Sequence, residues 1–196
     1  MTETLNQKNI EFCMVRPDLQ KIPQFRPPEG FRMRTYEPGD EKTWVQIQQV
    51  SDNYNEVDLS EFYRTFGSNL NALEDLCFFL DNPEGETIGT STAWYQKDFL
   101  GSQWGRVHWV AVLPEYQGQG LSKPLLTQTL NRLSDAHNRC YLVTSCLRIP
   151  AIHVYLKFGF HPFVKSERCE EGWDYVKKHL SHPLLDEAPL TPEDVK

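Results

Sequence analysis

No apolar run in this 196-residue chain approaches the length of a membrane span. Positive charge is in the minority: 20 Lys and Arg stand against 27 Asp and Glu, a formal net charge of −7. General nucleic-acid binding needs a basic footprint, so that class is excluded. Weak steering of cationic substrates is one consequence of the acidic balance; solubility is the main one. The five cysteines, Cys13, Cys77, Cys140, Cys146 and Cys169, are odd in number, and no two have CxxC spacing. Neither a zinc site nor a disulfide framework is suggested, and free thiols in a reducing cytoplasm are expected. The N-terminus lacks a charged stretch followed by an apolar run, so no secretory signal is expected. There is no internal repeat. Hydrophobic residues at 39% and aromatics at 12% fit a folded chain with one sizeable core.

Residues 1–30 hold Pro17, Pro23, Pro27 and Pro28 and have weak periodicity, which predicts an extended arm. Residues 181–196 are acidic and contain Pro183, Pro189 and Pro192, which predicts a solvated tail. Between them, residues 31–180 alternate between strand and helix patterns. Strands are expected at Phe31–Tyr36, Cys77–Asp81, Thr87–Tyr95, Gly105–Val112, Tyr141–Ser145, Phe160–Val164 and Trp173–Lys178. Helices are expected from Asp40 to Val50, from Leu59 to Asn69, from the glycines near 120 to His137, and from Pro150 to Phe158. This order predicts an α+β sandwich with helices covering a mixed sheet.

Residues 107–122 read VHWVAVLPEYQGQGLS: an apolar strand, a tight turn, then glycines opening a helix. A helix start leaves backbone N–H groups without intrahelical partners and carries partial positive charge. Gly118 and Gly120 remove the Cβ atoms that would keep a bulky anion away from those groups. The segment therefore suits a phosphorylated ligand held by backbone. A lone Gly-x-Gly turn is also a common plain connection. No Gly-Lys-Ser/Thr follows, which excludes a P-loop, and no third glycine stands at dinucleotide-fold spacing.

Two segments resemble the GCN5-related N-acetyltransferase (GNAT) superfamily. Gln117-Gly118-Gln119-Gly120-Leu121-Ser122 matches its pyrophosphate-binding pattern, with Ser122 at a position usually held by Gly or Ala. Ala151–Phe160 (AIHVYLKFGF) matches its late helix ending in Tyr-x-x-x-Gly-Phe. The resemblance covers about residues 31–180. It implies a mixed, largely antiparallel twisted sheet splayed between the fourth and fifth strands of the family. It also implies acetyl-CoA (coenzyme A) as cofactor and transfer of an acetyl group to a primary amine of a small molecule or peptide. Val110, Ala111 and Val112 fall on the strand whose backbone binds the pantetheine arm, with Val112 N–H as a candidate oxyanion donor. Tyr155 falls at the general-acid position. At the free values of about 10 for a phenol and 8.5 for a thiol, its proton donation to the leaving thiolate is near thermoneutral. Arg148 stands where many members carry a pantetheine-bonding asparagine.

His108 is the best-placed general base, sharing strand parity with Val110 and Val112; Glu115 is a second candidate. The acceptor site is expected between residues 52–59 and 95–104, where Tyr54, Tyr95, Phe99 and Trp104 form an aromatic wall or merely pack beneath a loop. No metal site, nucleic-acid partner or membrane association is expected. A cytoplasmic location is expected, and homodimers are common among proteins of this resemblance. The alternative from another class is a non-catalytic acyl-CoA sensor or scaffold of the same fold.

Overall fold

The computed structural model describes residues 9–195. Seven strands are formed: β1 (Glu11–Arg16), β2 (Arg32–Thr35), β3 (Cys77–Asp81), β4 (Thr87–Phe99), β5 (Ser102–Val112), β6 (Cys140–Ser145) and β7 (His161–Pro162). They make one mixed sheet in the order β2-β3-β4-β5-β6-β1-β7. The pairs β2–β3, β3–β4, β1–β6 and β1–β7 are antiparallel, and β5–β6 is parallel. The helices are α1 (Glu41–Ser51), α2 (Leu59–Phe66), α3 (Leu73–Leu76), α4 (Ser122–Ser134), α5 (Ile149–Lys157), α6 (Glu167–His179) and α7 (Pro183–Asp186). The expected α+β class, a mixed and mostly antiparallel sheet flanked by helices, is what the chain forms. Among the described residues no helix is long and apolar enough to cross a membrane.

The chain divides into two compact units. The first takes the residues up to Lys21, Tyr95–Arg106 and the residues from Ala136 onward; the second takes Ile22–Trp94 and Val107–Asp135.

In the second unit α1 and α2 build an aromatic core. Trp44 of α1 meets Phe62, Phe66 and Trp109 edge to face, at 5.2, 5.6 and 5.1 Å between ring centroids. Asp58 caps α2 by accepting from Glu61 N–H, and Gly67 (φ +78°) ends it. Arg34 on β2 pairs with Asp40 just before α1 and with Asp81 on β3, at 2.6 and 3.3 Å. α4 buries Leu125, Leu126, Leu130 and Leu133 as one stripe.

In the first unit the structure departs from the sequence expectation at both ends. Residues 11–16, expected within an extended arm, form β1, paired on one side with β6 and on the other with β7. Phe12, Cys13, Met14 and Val15 are all buried. Such a run shows no period-2 alternation, because both of its faces are covered. Residues 173–178, expected as a strand, belong to α6, whose buried face is Cys169, Gly172, Trp173 and Val176. That 3.6-residue spacing outweighs the strand preference of Trp173 and Tyr175. Trp173 stacks on Phe12 at 4.1 Å. The acidic tail is anchored as well: Leu185 and Val195 are buried, and Phe163 bridges to Leu190.

Candidate active site

In the second unit, β5 runs into a 3-10 turn at Pro114–Tyr116 and then the glycine loop ahead of α4. Leu113 N–H donates to Ile88 O on β4. Adjacent residues of a strand point their backbone groups to opposite edges, so Val112 turns its N–H and C=O away from β4. Its carbonyl accepts from Ser51 Oγ at 3.1 Å and Gln117 Nε2 at 2.9 Å. The Gln117 side chain thus folds the loop back onto the strand it follows. Gly118 and Gly120 adopt φ of +77° and +78°, which L side chains rarely take. Lys123 N–H closes on Gly120 O at 3.1 Å. Among the described residues, no acceptor pairs with the amides of Gly118, Gln119, Gly120 and Leu121. A Cβ placed on Gly118 would meet nothing within 4 Å. These amides and the open space beside Gly118 fit a diphosphate, which takes several backbone donors at once.

β5 carries a second unusual residue. Trp109 has φ +50° in mid-strand, a conformation that costs a non-glycine residue about 1–3 kcal/mol. Gln48 of α1, only 2% exposed, supports the distortion by donating its amide to Trp109 O at 3.0 Å. The kink also breaks the side-chain alternation. The His108 ring lies 6.5 Å from Phe66 while its neighbour Trp109 faces Trp44, so both turn toward the α1–α2 core. Ala111 belongs to that core, whereas Val112 lies with Leu125 around Gly89. The shared parity expected for His108 and Val112 is therefore corrected: the left-handed residue between them puts them on different faces.

In the first unit, α5 carries Tyr155. Its C-terminus is a Schellman motif: Phe160 N–H reaches Tyr155 O at 3.1 Å and Gly159 N–H reaches Leu156 O at 3.0 Å. Gly159 takes φ +77°, and the Tyr155 and Phe160 rings lie 6.0 Å apart. The spacing Tyr-x-x-x-Gly-Phe thus has a local meaning, since the motif brings its first and last aromatics together. Arg16, from β1 and 6% exposed, donates to Phe158 O at the helix end, and to Asp18 O and Gln20 O at 2.9 and 2.6 Å. It satisfies the terminal carbonyl of Phe158 and sets a cation against the negative end of the helix dipole. At the other end, Arg148 precedes the helix and donates Nε–H to Ser145 Oγ at 3.2 Å.

Tyr155 is half-buried, and burial raises its phenol to about 12, opposed by the Arg148 charge. It is a weaker acid than the free phenol. Full proton transfer to a thiolate of pKa about 8.5 is then uphill by roughly 5 kcal/mol rather than thermoneutral.

Of the residues expected to line an acceptor pocket, Tyr54 belongs to the second unit, half-buried, its N–H turned onto Asp52 Oδ1 at 2.9 Å. Tyr95 and Trp104 belong to the first. Tyr95 is 37% exposed. Trp104 is completely buried, bonded through Nε1 to Ser102 Oγ and packed with Phe99 and Arg139. A residue so enclosed is a core residue, which corrects its place in the aromatic wall. Phe99 likewise stacks on Tyr141 at 3.9 Å.

Comparison with known proteins identifies the family and the fold. The model of the Acetyltransferase (GNAT) family matches residues 43–160. The chain belongs to the GNAT acetyltransferase family. A mycothiol acetyltransferase of Streptomyces griseus is 29% identical over 137 residues, covering 68% of this chain and 44% of that protein. One from Saccharomonospora viridis is 30% identical over 171 residues, covering 78% of this chain and 53% of that protein. The chain spans about half the length of the curated relatives it matches. Among solved structures, a GCN5-related N-acetyltransferase from Sphaerobacter thermophilus superposes with a TM-score of 0.64 at 19% identity, covering 82% of this chain and 53% of that one. At that identity the likeness speaks for the fold. In this GNAT chain, sequence reasoning missed Arg16, Gln48 and Ser51. The first lay in a supposed arm, Gln48 read as an ordinary helix position, and Ser51 lay just past the expected end of that helix.

Proposed function

We propose that this GNAT chain transfers an acetyl group from acetyl-CoA to a primary amine of a small molecule or peptide. The observation that carries the reading is the run of amides at 118–121 that pair with no acceptor among the described residues, with open space beside Gly118. Val110, Ala111, Val112 and residues 117–122 would hold the coenzyme; when bound it supplies the acetyl group as an activated thioester. The Val112 N–H, turned away from β4, donates to the acyl oxygen as negative charge develops there. Tyr155 donates a hydrogen bond to the departing sulfur. With its phenol raised to about 12, it stabilises the thiolate while keeping its own proton until bulk solvent supplies one. His108, half-exposed on β5, takes the proton of the attacking amine. Tyr54 and Tyr95 are the aromatic candidates for acceptor contact. The relatives' name puts mycothiol-related amines first among acceptors to test, followed by other small amines and peptide N-termini.

Calorimetry with coenzyme A and thiol release across an amine panel test the proposal together. Micromolar binding with release that requires an amine supports it. Absence of heat at millimolar coenzyme A removes the coenzyme reading. Binding without release from any amine leaves the sensor alternative in its place.

A further inference from the structure

The turn that joins β3 to β4 is tied to the turn that precedes the glycine loop. Asn82, 3% exposed, opens the β3–β4 turn, and each of its polar groups is used. Its N–H donates to Glu86 O at 2.8 Å, its carbonyl accepts from Gly85 N–H at 3.0 Å, and its Oδ1 accepts from Glu86 N–H at 2.8 Å. That last bond fixes which way the side-chain amide faces. Nδ2 then gives one hydrogen to Glu86 Oε2 at 2.9 Å and the other to the Tyr116 hydroxyl at 2.8 Å. Tyr116 closes the 3-10 turn, whose own bonds run from Tyr116 N–H to Leu113 O and from Gln117 N–H to Pro114 O, at 2.9 and 3.2 Å. The amides of 116 and 117 are thereby spent, and Gly118 is the first whose amide pairs with no acceptor among the described residues.

A 3-10 turn this short has poor hydrogen-bond geometry and needs outside support. Gly118 and Gly120 follow it, with the widest backbone freedom of any residue type. A loop that its ligand must order binds that ligand more weakly than one held ready. We propose that Asn82 is a positioning residue for the coenzyme: through the Tyr116 hydroxyl it holds the Pro114–Tyr116 turn, and with it the direction of the amides at 118–121. This rests on the coenzyme reading above and extends it to the β3–β4 turn, whose residues act on the ligand only through the loop. Leu113 N–H on Ile88 O, at 2.8 Å, ties the other end of the same 3-10 turn to β4. Both ends are thus fixed to one hairpin, the kind of rigid support that a binding loop requires.

Tyr116→Phe removes the hydroxyl and keeps the ring. Calorimetry is expected to show coenzyme A bound about fivefold more weakly, the loss of one hydrogen bond. KM for acetyl-CoA should rise by the same factor, with kcat and the acceptor KM changed by less than about twofold. The inhibition constant of pantetheine, which lacks the diphosphate, should not change. Glu86→Ala is the control. It leaves the bond between Asn82 and Tyr116 in place, so it should lower Tm without weakening coenzyme A. Unchanged coenzyme A affinity in Tyr116→Phe overturns the proposal. So does an equal loss for coenzyme A and pantetheine, or a loss in Glu86→Ala as large as in Tyr116→Phe. Wild-type protein that gives no heat with coenzyme A overturns the coenzyme reading itself, a result distinct from failure of the tie alone.

Discussion

Replacing Tyr155 by Phe removes one hydroxyl and leaves the ring beside Phe160. The half-buried phenol, raised to about 12, is uphill as a proton donor to a coenzyme thiolate by more than three pK units. What remains for it in the transition state is a hydrogen bond to developing negative charge, worth about 1.5–3 kcal/mol. Turnover is therefore expected to fall by about 10- to 100-fold, since each 1.4 kcal/mol is tenfold. Coenzyme affinity should change less than twofold, because the hydroxyl is engaged only as the sulfur departs. The sign of the pH dependence follows from the raised value: the phenol stays protonated throughout the working range. No basic limb near pH 10 should arise from Tyr155, and the wild-type and Phe profiles should run parallel from pH 7 to 10. Steady-state thiol release at saturating acetyl-CoA, read with a chromogenic disulfide, measures both quantities. Turnover within twofold of wild type removes Tyr155 from the chemistry. A wild-type limb near pH 10 that vanishes in the Phe variant shows an ordinary, solvated phenol acting as a true acid, and refutes the argument from burial.

Gly120→Val places a branched side chain at φ +78°, costing roughly 1–2 kcal/mol; a fall in Tm of about 2–8 °C and no calorimetric heat with coenzyme A are expected. Normal binding would mean the diphosphate sits elsewhere. Arg16→Met strips donors from the carbonyls of Phe158, Asp18 and Gln20, and urea unfolding should show a loss of about 3 kcal/mol; a loss below 1 kcal/mol contradicts the account of that clamp. His108→Ala should lower kcat/KM by about 10²- to 10⁴-fold with coenzyme affinity kept, and an unchanged kcat/KM eliminates His108 as the base. Gln48→Leu leaves Trp109 O without its amide donor, and it should lower kcat more than it raises KM; an unchanged kcat shows that the strand kink holds itself.

Legibility in the sequence followed how local the cause was. The glycine loop and the end of α5 were readable because their conformations are written by glycines at fixed offsets, and the strands flanking them alternate or run apolar between turn residues. The left-handed Trp109 was not readable, because a bulky residue disfavours positive φ and its support comes from Gln48, 61 residues away. β1 escaped because the strands that pair its two edges, and the Trp173 ring stacked on Phe12, all come from far along the chain. α6 was misread where two aromatics suggested pleating, although the buried positions Cys169, Gly172, Trp173 and Val176 mark one helical face. The acceptor side of the site was least readable: aromatic character alone did not separate the enclosed Trp104 from the exposed Tyr95.

The pairing of β1 bears on how the protein is made. Its partners, Cys140–Ser145 and His161–Pro162, leave the ribosome long after it does. The second unit ends at Asp135, so it has emerged in full before either partner, while Phe12 to Val15 wait unaccompanied. During that interval a greasy, strand-prone peptide hangs from the nascent chain, an invitation to chaperones and to neighbouring polysomes alike.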